Sequence, residues 1–183
     1  MGLGGALVGA ALSFQGTVYQ QKKLVGERRQ AAEGTAAAAL VGELIRMRQH
    51  LAAMPAEYDR GQARDRIAWV GLMTSARESE WHRGFEEIFA PAEAAARTLR
   101  NPVLRERLLH VLTMLDNWWA LNTVNPGAMT KRSMREMINH ALEWLGAWQR
   151  EDPIPEPETS YLRTYELWQQ TQDDRVLKKR RQG

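Results

Sequence analysis

Apolar residues along this chain recur every three or four positions, and no run alternates with the period of two that a half-buried strand needs. The first such pattern runs from residue 2 to residue 54. Its opening, residues 2–19 (GLGGALVGAALSFQGTVY), carries no charge. Beyond it Ala31, Ala32, Leu40, Val41, Leu44, Ile45, Met47, Leu51 and Met54 keep helical spacing until Pro55 stops them. One long helix is predicted, with Gly26, Gly34 and Gly42 at eight-residue intervals along it.

Residues 56–80 predict a second helix, with Ile67, Trp69, Val70, Leu72 and Met73 as its apolar part. Residues 81–100 predict a third, interrupted at Pro91 with Ala90 as the boundary, because a proline pushes the residue before it out of the α region. Asn101-Pro102 is a cap followed by a first-turn proline. It opens an amphipathic helix with Val103, Leu104, Leu108, Leu109, Val111, Leu112, Leu115, Trp118 and Trp119 on its apolar side. Asn125-Pro126-Gly127 marks a loop. Thr130 or Ser133 caps the next helix, whose apolar face holds Met134, Met137, Ile138, Ala141, Leu142, Leu145 and Trp148. EDPIPEPE at 151–158 is extended, since Pro153, Pro155 and Pro157 exclude a helix. A short helix over residues 160–176 and a basic tail follow.

The fold class expected is all-α, an irregular bundle of five or six helices with a long N-terminal helix. Four segments follow from the pattern: 1–21, a membrane anchor or glycine-packed helix; 22–150, the helical bundle; 151–158, an acidic connector; and 159–183, a short helix and basic tail.

Residues 2–19 sit at the lower length limit for crossing a bilayer, where about 20 apolar residues are usual. Gly2, Gly5, Gly9, Ser13 and Gly16 share one helix face, a pattern that lets helix backbones approach closely. Tyr19 stands where an interfacial aromatic belongs, and Lys22, Lys23, Arg28 and Arg29 follow at once. Basic residues behind the stretch and none before it predict a short external N-terminus and a cytoplasmic body. The competing reading is a helix buried between copies of the chain. That much glycine weakens a lone helix by about 1 kcal/mol per residue relative to alanine.

Charge refines this picture. The net charge is only +3, but residues 151–174 hold seven acidic side chains against one basic, and residues 175–183 hold five basic and no acidic. A nucleic-acid binder carries its basic stripe through the folded part, which this chain does not, so nucleic acid is not an expected partner. Lys178 to Arg181 suit a solvated tail, an anionic lipid surface or phosphates. The chain has no cysteine, which excludes disulfides, thiolate metal sites and thiol nucleophiles.

Catalytic chemistry is not signalled. No Gly-x-Ser-x-Gly, phosphate loop or His-Glu-x-x-His occurs. Glu78, His82 and Glu86 share one helix face, and Glu136, His140 and Glu143 share another. Two such faces could meet around a metal, yet the Glu-x-x-His pattern of bundle di-iron sites is missing. No metal, cofactor or small molecule is therefore inferred. Four of the seven tryptophans, Trp118, Trp119, Trp144 and Trp148, fall on two neighbouring helices. They are expected to form one aromatic cluster, either as core or as a partner groove at the helix junction.

The layout resembles a loosely defined set of actinobacterial proteins of unknown function. These pair a Gly/Ala-rich membrane helix, ending in Gly-Thr and a basic run, with a helical cytoplasmic domain. The matching positions are Gly5 to Gly9, Phe14 to Thr17, Lys22 to Arg29 and, more loosely, Asn101 to Arg107. The resemblance implies location and build, and no activity. The reading reached from sequence is a non-enzymatic, membrane-anchored helical scaffold with lipid, a protein partner or its own copies as partners. The alternatives are an assembly subunit, such as a phage or large-complex component, with a buried first helix, and a metalloprotein using the His82 and His140 faces.

Overall fold

In the computed structural model the chain is all-α, with five helices and no strand among the described residues. Backbone is described for residues 4–59, 79–118, 130–159, 161–163, 165–166 and 168–170. Side chains are described from residue 21 onward within these spans, except 22, 57 and 59. Most of the predicted second helix and the loop at 119–129, Trp119 included, lie outside the described residues.

Helix α1 spans Gly4–His50 without interruption, 47 residues, which at 1.5 Å per residue is about 70 Å of helix. A 3₁₀ turn, Leu51–Ala53, ends it before Pro55, and the short α2 covers Ala56–Asp59. Helix α3, Glu80–Thr98, starts at Ser79, whose Oγ accepts from the His82 N–H at 3.1 Å. Helix α4, Pro102–Asp116, begins as predicted, with Asn101 Oδ1 accepting from the Leu104 N–H at 3.0 Å. Helix α5 spans Thr130–Gln149.

The expected break at Pro91 does not occur: α3 runs through it. A mid-helix proline removes one N–H donor and frees the carbonyl four residues back. Pro91 and Glu87 both face solvent, so water can satisfy that carbonyl. Meanwhile Phe85, Ile88, Ala92 and Ala96 hold one continuous buried stripe on both sides of the proline. Packing of that stripe outweighs the lost bond.

Helices α1, α3, α4 and α5 close a ring, each packing on two neighbours, with α3 diagonal to α5. The core between them is Ala37, Leu40, Leu44 and Met47 from α1, Leu104, Leu108, Val111 and Leu112 from α4, and Met134, Ile138, Ala141 and Leu145 from α5, with the α3 stripe. Membership in α1 starts only at Ala37. From residue 23 to residue 32 every described side chain is exposed, Leu24 at 53% and Val25 at 44%. The helix leaves the body beside the start of α4, where Glu33 Oε1 accepts from the Arg100 N–H at 2.7 Å.

The end of α5 decides where the acidic connector goes. The Asp152 N–H bonds the Ala147 carbonyl at 2.9 Å and the Glu151 N–H bonds that of Trp148 at 3.1 Å, the double bond pattern of a helix-ending turn. Glu151 occupies the left-handed position at φ 61°, where glycine is usual. Residues 151–158 then run extended, and the described residues of 159–170 are helical.

Among the described residues no helix is long and apolar enough to cross a membrane. Gly2 lies outside the described residues, and at Gly5, Gly9, Ser13, Gly16 and Lys22 only the helical backbone is described. Lys23, Arg28 and Arg29 are exposed.

Candidate functional site

Trp118 and Trp144 belong to one hydrophobic core, but among the described residues no ring contact joins them. Trp118 is fully buried and meets Trp81 edge-on at 5.5 Å, Tyr58 at 6.0 Å and His82 at 6.3 Å. Trp144 meets Tyr161 edge-on at 5.5 Å and stacks with His140 at 6.1 Å. Trp148 is half-buried and sits at a surface cleft instead. The predicted neighbourhood rested on α4 and α5 being adjacent, which they are. The two indoles nevertheless point to opposite partners: α3 for Trp118, the C-terminal segment for Trp144.

All four histidines are spent on these two aromatic clusters. In the first, His50 stacks on Trp81 at 5.5 Å. Its Nε2–H donates to the Trp81 carbonyl at 2.7 Å, and the Trp81 indole N–H donates back to the His50 carbonyl at 3.2 Å. This joins the end of α1 to the start of α3. The Trp118 indole N–H points at His82 Nδ1 at 3.4 Å, so the proton sits on Nε2, which faces Glu86 Oε1 at 3.2 Å.

Gly84 makes the first cluster possible. A Cβ there would stand 2.9 Å from His50 Cε1. Gly84→Ala is therefore expected to destabilise by about 1 kcal/mol net: overpacking costs about 1–3 kcal/mol, and the gain in helix propensity returns about 1. In a His50→Ala background the same change should become neutral or stabilising. Urea unfolding of the four chains checks this, and a loss that persists without His50 would show that the clash is not the cause.

In the second cluster Arg107 holds the connector. Its guanidinium donates to the Pro155 carbonyl at 2.7 Å and to Glu156 Oε2 at 2.8 Å, and lies 5.5 Å from the Trp144 ring centre. His110 stacks with Tyr165 at 4.7 Å, its Nε2 at 3.3 Å from the phenol oxygen, which accepts from Gln169 at 2.6 Å. Burial pushes the Tyr161 phenol well above its ordinary range, helped by Tyr165 and partly opposed by Arg107. Tyr165 is raised as well, first by burial and then by Glu106.

The sign of the Tyr161 shift sets a pH dependence. A phenol raised in the folded state favours folding fully below its unfolded value, about 10. Above that the unfolded chain ionises while the folded one cannot, so stability falls as pH climbs toward the folded value. Tyr161→Phe should remove a phenol that ionises well above the ordinary tyrosine range in an absorbance titration and flatten the alkaline stability loss. An unchanged titration would refute the burial account.

The two expected metal faces stay apart, because α3 and α5 are diagonal in the ring. His82 is 6% exposed and committed to Trp118 and Glu86. Glu136 pairs with Arg132 at 2.8 Å, and His140 lies between Glu143 at 3.9 Å and Glu158 at 4.0 Å. Glu78 lies outside the described residues. No group of three or more side chains able to hold a metal occurs among the described residues.

Two surface features among the described residues have no role in the core. One is the protruding part of α1. The other is an open cleft of about 460 Å³ lined by Asn101, Val103, Trp148, Glu151, Asp152 and Ile154. Val103 was expected on the apolar face of α4, but it is 51% exposed and forms the cleft wall. Spacing alone hid this, because the cleft exists only where the turn at Glu151 lays the connector beside the start of α4.

No family model matches the chain, and no curated protein or solved structure matches it either.

Proposed function

We propose that this chain is a non-enzymatic helical scaffold that acts by association, with α1 as its association element. One observation carries the reading: in a 47-residue helix, side chains join the buried core from Ala37 onward, and every described one from residue 23 to residue 32 is exposed. Isolated helices are marginal in water, and most helical stability in proteins comes from packing an apolar face. Between residues 23 and 32 every described side chain of α1 is exposed, Leu24 and Val25 among them. A Cβ at Gly26, Gly34 or Gly42 would meet nothing within 4 Å, so no contact of the described residues requires glycine there.

The expected result is that the full chain sediments as a multimer without detergent, and that a chain lacking residues 1–32 sediments as a monomer. A monomeric full chain that stays out of membranes would sink the reading. The second reading, an α1 anchored in a bilayer by residues 2–19 with the basic run behind it, is favoured by the charge-free stretch alone. It requires the full chain to fractionate with membranes and a chain lacking residues 1–21 to be released from them.

A further inference from the structure

We infer that α1 of one copy seats in the cleft of a second copy, and reciprocally, giving a closed two-fold dimer. This rests on α1 being the association element and specifies what that element binds.

Three observations meet. First, the exposed large apolar side chains among the described residues are Leu24, Val25, Val103 and Leu162. Two lie on protruding α1 and one forms the wall of the cleft, beside the half-buried Trp148 and Ile154. Among the described residues, an apolar helix patch and a largely apolar cleft are each left exposed.

Second, the charges are complementary. Leu24 and Val25 are each followed four residues on by an arginine, Arg28 and Arg29, on the same helix face. The cleft rim carries Glu151 and Asp152. Asp152 is already held by Arg150 at 2.8 Å. The Glu151 carboxylate has no ion pair among the described residues. It also stands at the C-terminal end of α5, where the helix dipole favours a cation.

Third, the two surfaces sit at the same end of the bundle. The Glu33–Arg100 bond fixes where α1 leaves the body, one residue from Asn101 of the cleft. Leu24 lies nine residues further out, about 14 Å along a straight helix, so a chain cannot fold it back into its own cleft without breaking α1. A second copy related by a two-fold axis at that end can receive it. The same operation returns its own α1 to the first cleft, so the assembly closes at two.

The absence of cysteine allows a direct test. Full-length Leu24→Cys and Val103→Cys chains are mixed and oxidised. A cross-linked species of twice 20.9 kDa, formed in the mixture and not in either chain alone, is the expected result. Glu151→Arg, and separately Arg28→Glu with Arg29→Glu, should each weaken dimerisation by about tenfold or more, and combining them should restore it. These side chains are exposed, so helix content by circular dichroism should not change. Cross-linking of Leu24→Cys to itself, with charge reversals that leave the mass unchanged, would overturn the cleft and leave α1 association standing through a helix pair. A full chain that is monomeric throughout would overturn both.

Discussion

Trp118→Ala is expected to cost the bundle about 3–5 kcal/mol, as large aromatic deletions in a packed core do. The side chain is fully buried and touches three rings from two other elements, Tyr58, Trp81 and His82. Its loss opens a cavity and also strips His82 Nδ1 of its donor, and a buried acceptor left alone costs a further share of that total. Against a typical stability of about 5–15 kcal/mol this is a large fraction. The urea midpoint should fall with the slope unchanged. The second cluster should stay assembled, so Tyr161 should keep its raised titration. A cost under about 1 kcal/mol would mean that the site collapses around the missing ring and that the cluster does not organise the fold.

Trp144→Ala is expected to cost a similar 3–5 kcal/mol but to fail differently. Trp144 is 1% exposed and forms the platform for His140, Tyr161 and the Arg107 guanidinium. Without it the C-terminal segment loses its seat, while the contacts of α1, α3 and α4 around Trp118 remain. Local opening ahead of global unfolding is the expected signature. The Leu162 amide, bonded to the Glu158 carbonyl at 3.0 Å, should exchange early, and Tyr161 should titrate closer to an ordinary phenol. In the double variant the two losses should add within about 0.5 kcal/mol, because residues without shared partners do not couple. Strong coupling would restore the single-cluster arrangement expected from sequence.

The contrast between those two tryptophans shows how far sequence reading reached into the site. Both were identified as the aromatic residues of interest, and their helices are adjacent. Which neighbour each indole meets depends on its rotation about the helix axis and on what a distant segment covers. Trp81 and Tyr161 lie far away in sequence, so no local spacing announces them. His50, Trp81, Phe85 and Gly84 were missed as a unit for the same reason: the signal was a glycine in a helix otherwise rich in larger residues, and its cause is the His50 ring standing where a Cβ would be. The cleft was invisible because it needs the left-handed turn at Glu151, a position with no glycine to mark it.

By itself the sequence determined the helical class, the unbroken run of α1 to its stop before Pro55, the Asn101-Pro102 start of α4 and the extended connector at 151–158. Each is a local effect: periodicity, a cap, or prolines that remove donors and fix φ. Only the tertiary structure decided that α3 passes through Pro91, that Trp118 and Trp144 meet different aromatic partners, that α3 and α5 lie diagonal, and that Leu24, Val25 and Val103 are left exposed. Those outcomes depend on which apolar faces compete for burial. That competition is settled by the whole ring of helices, whose energies outweigh the preference of any single residue.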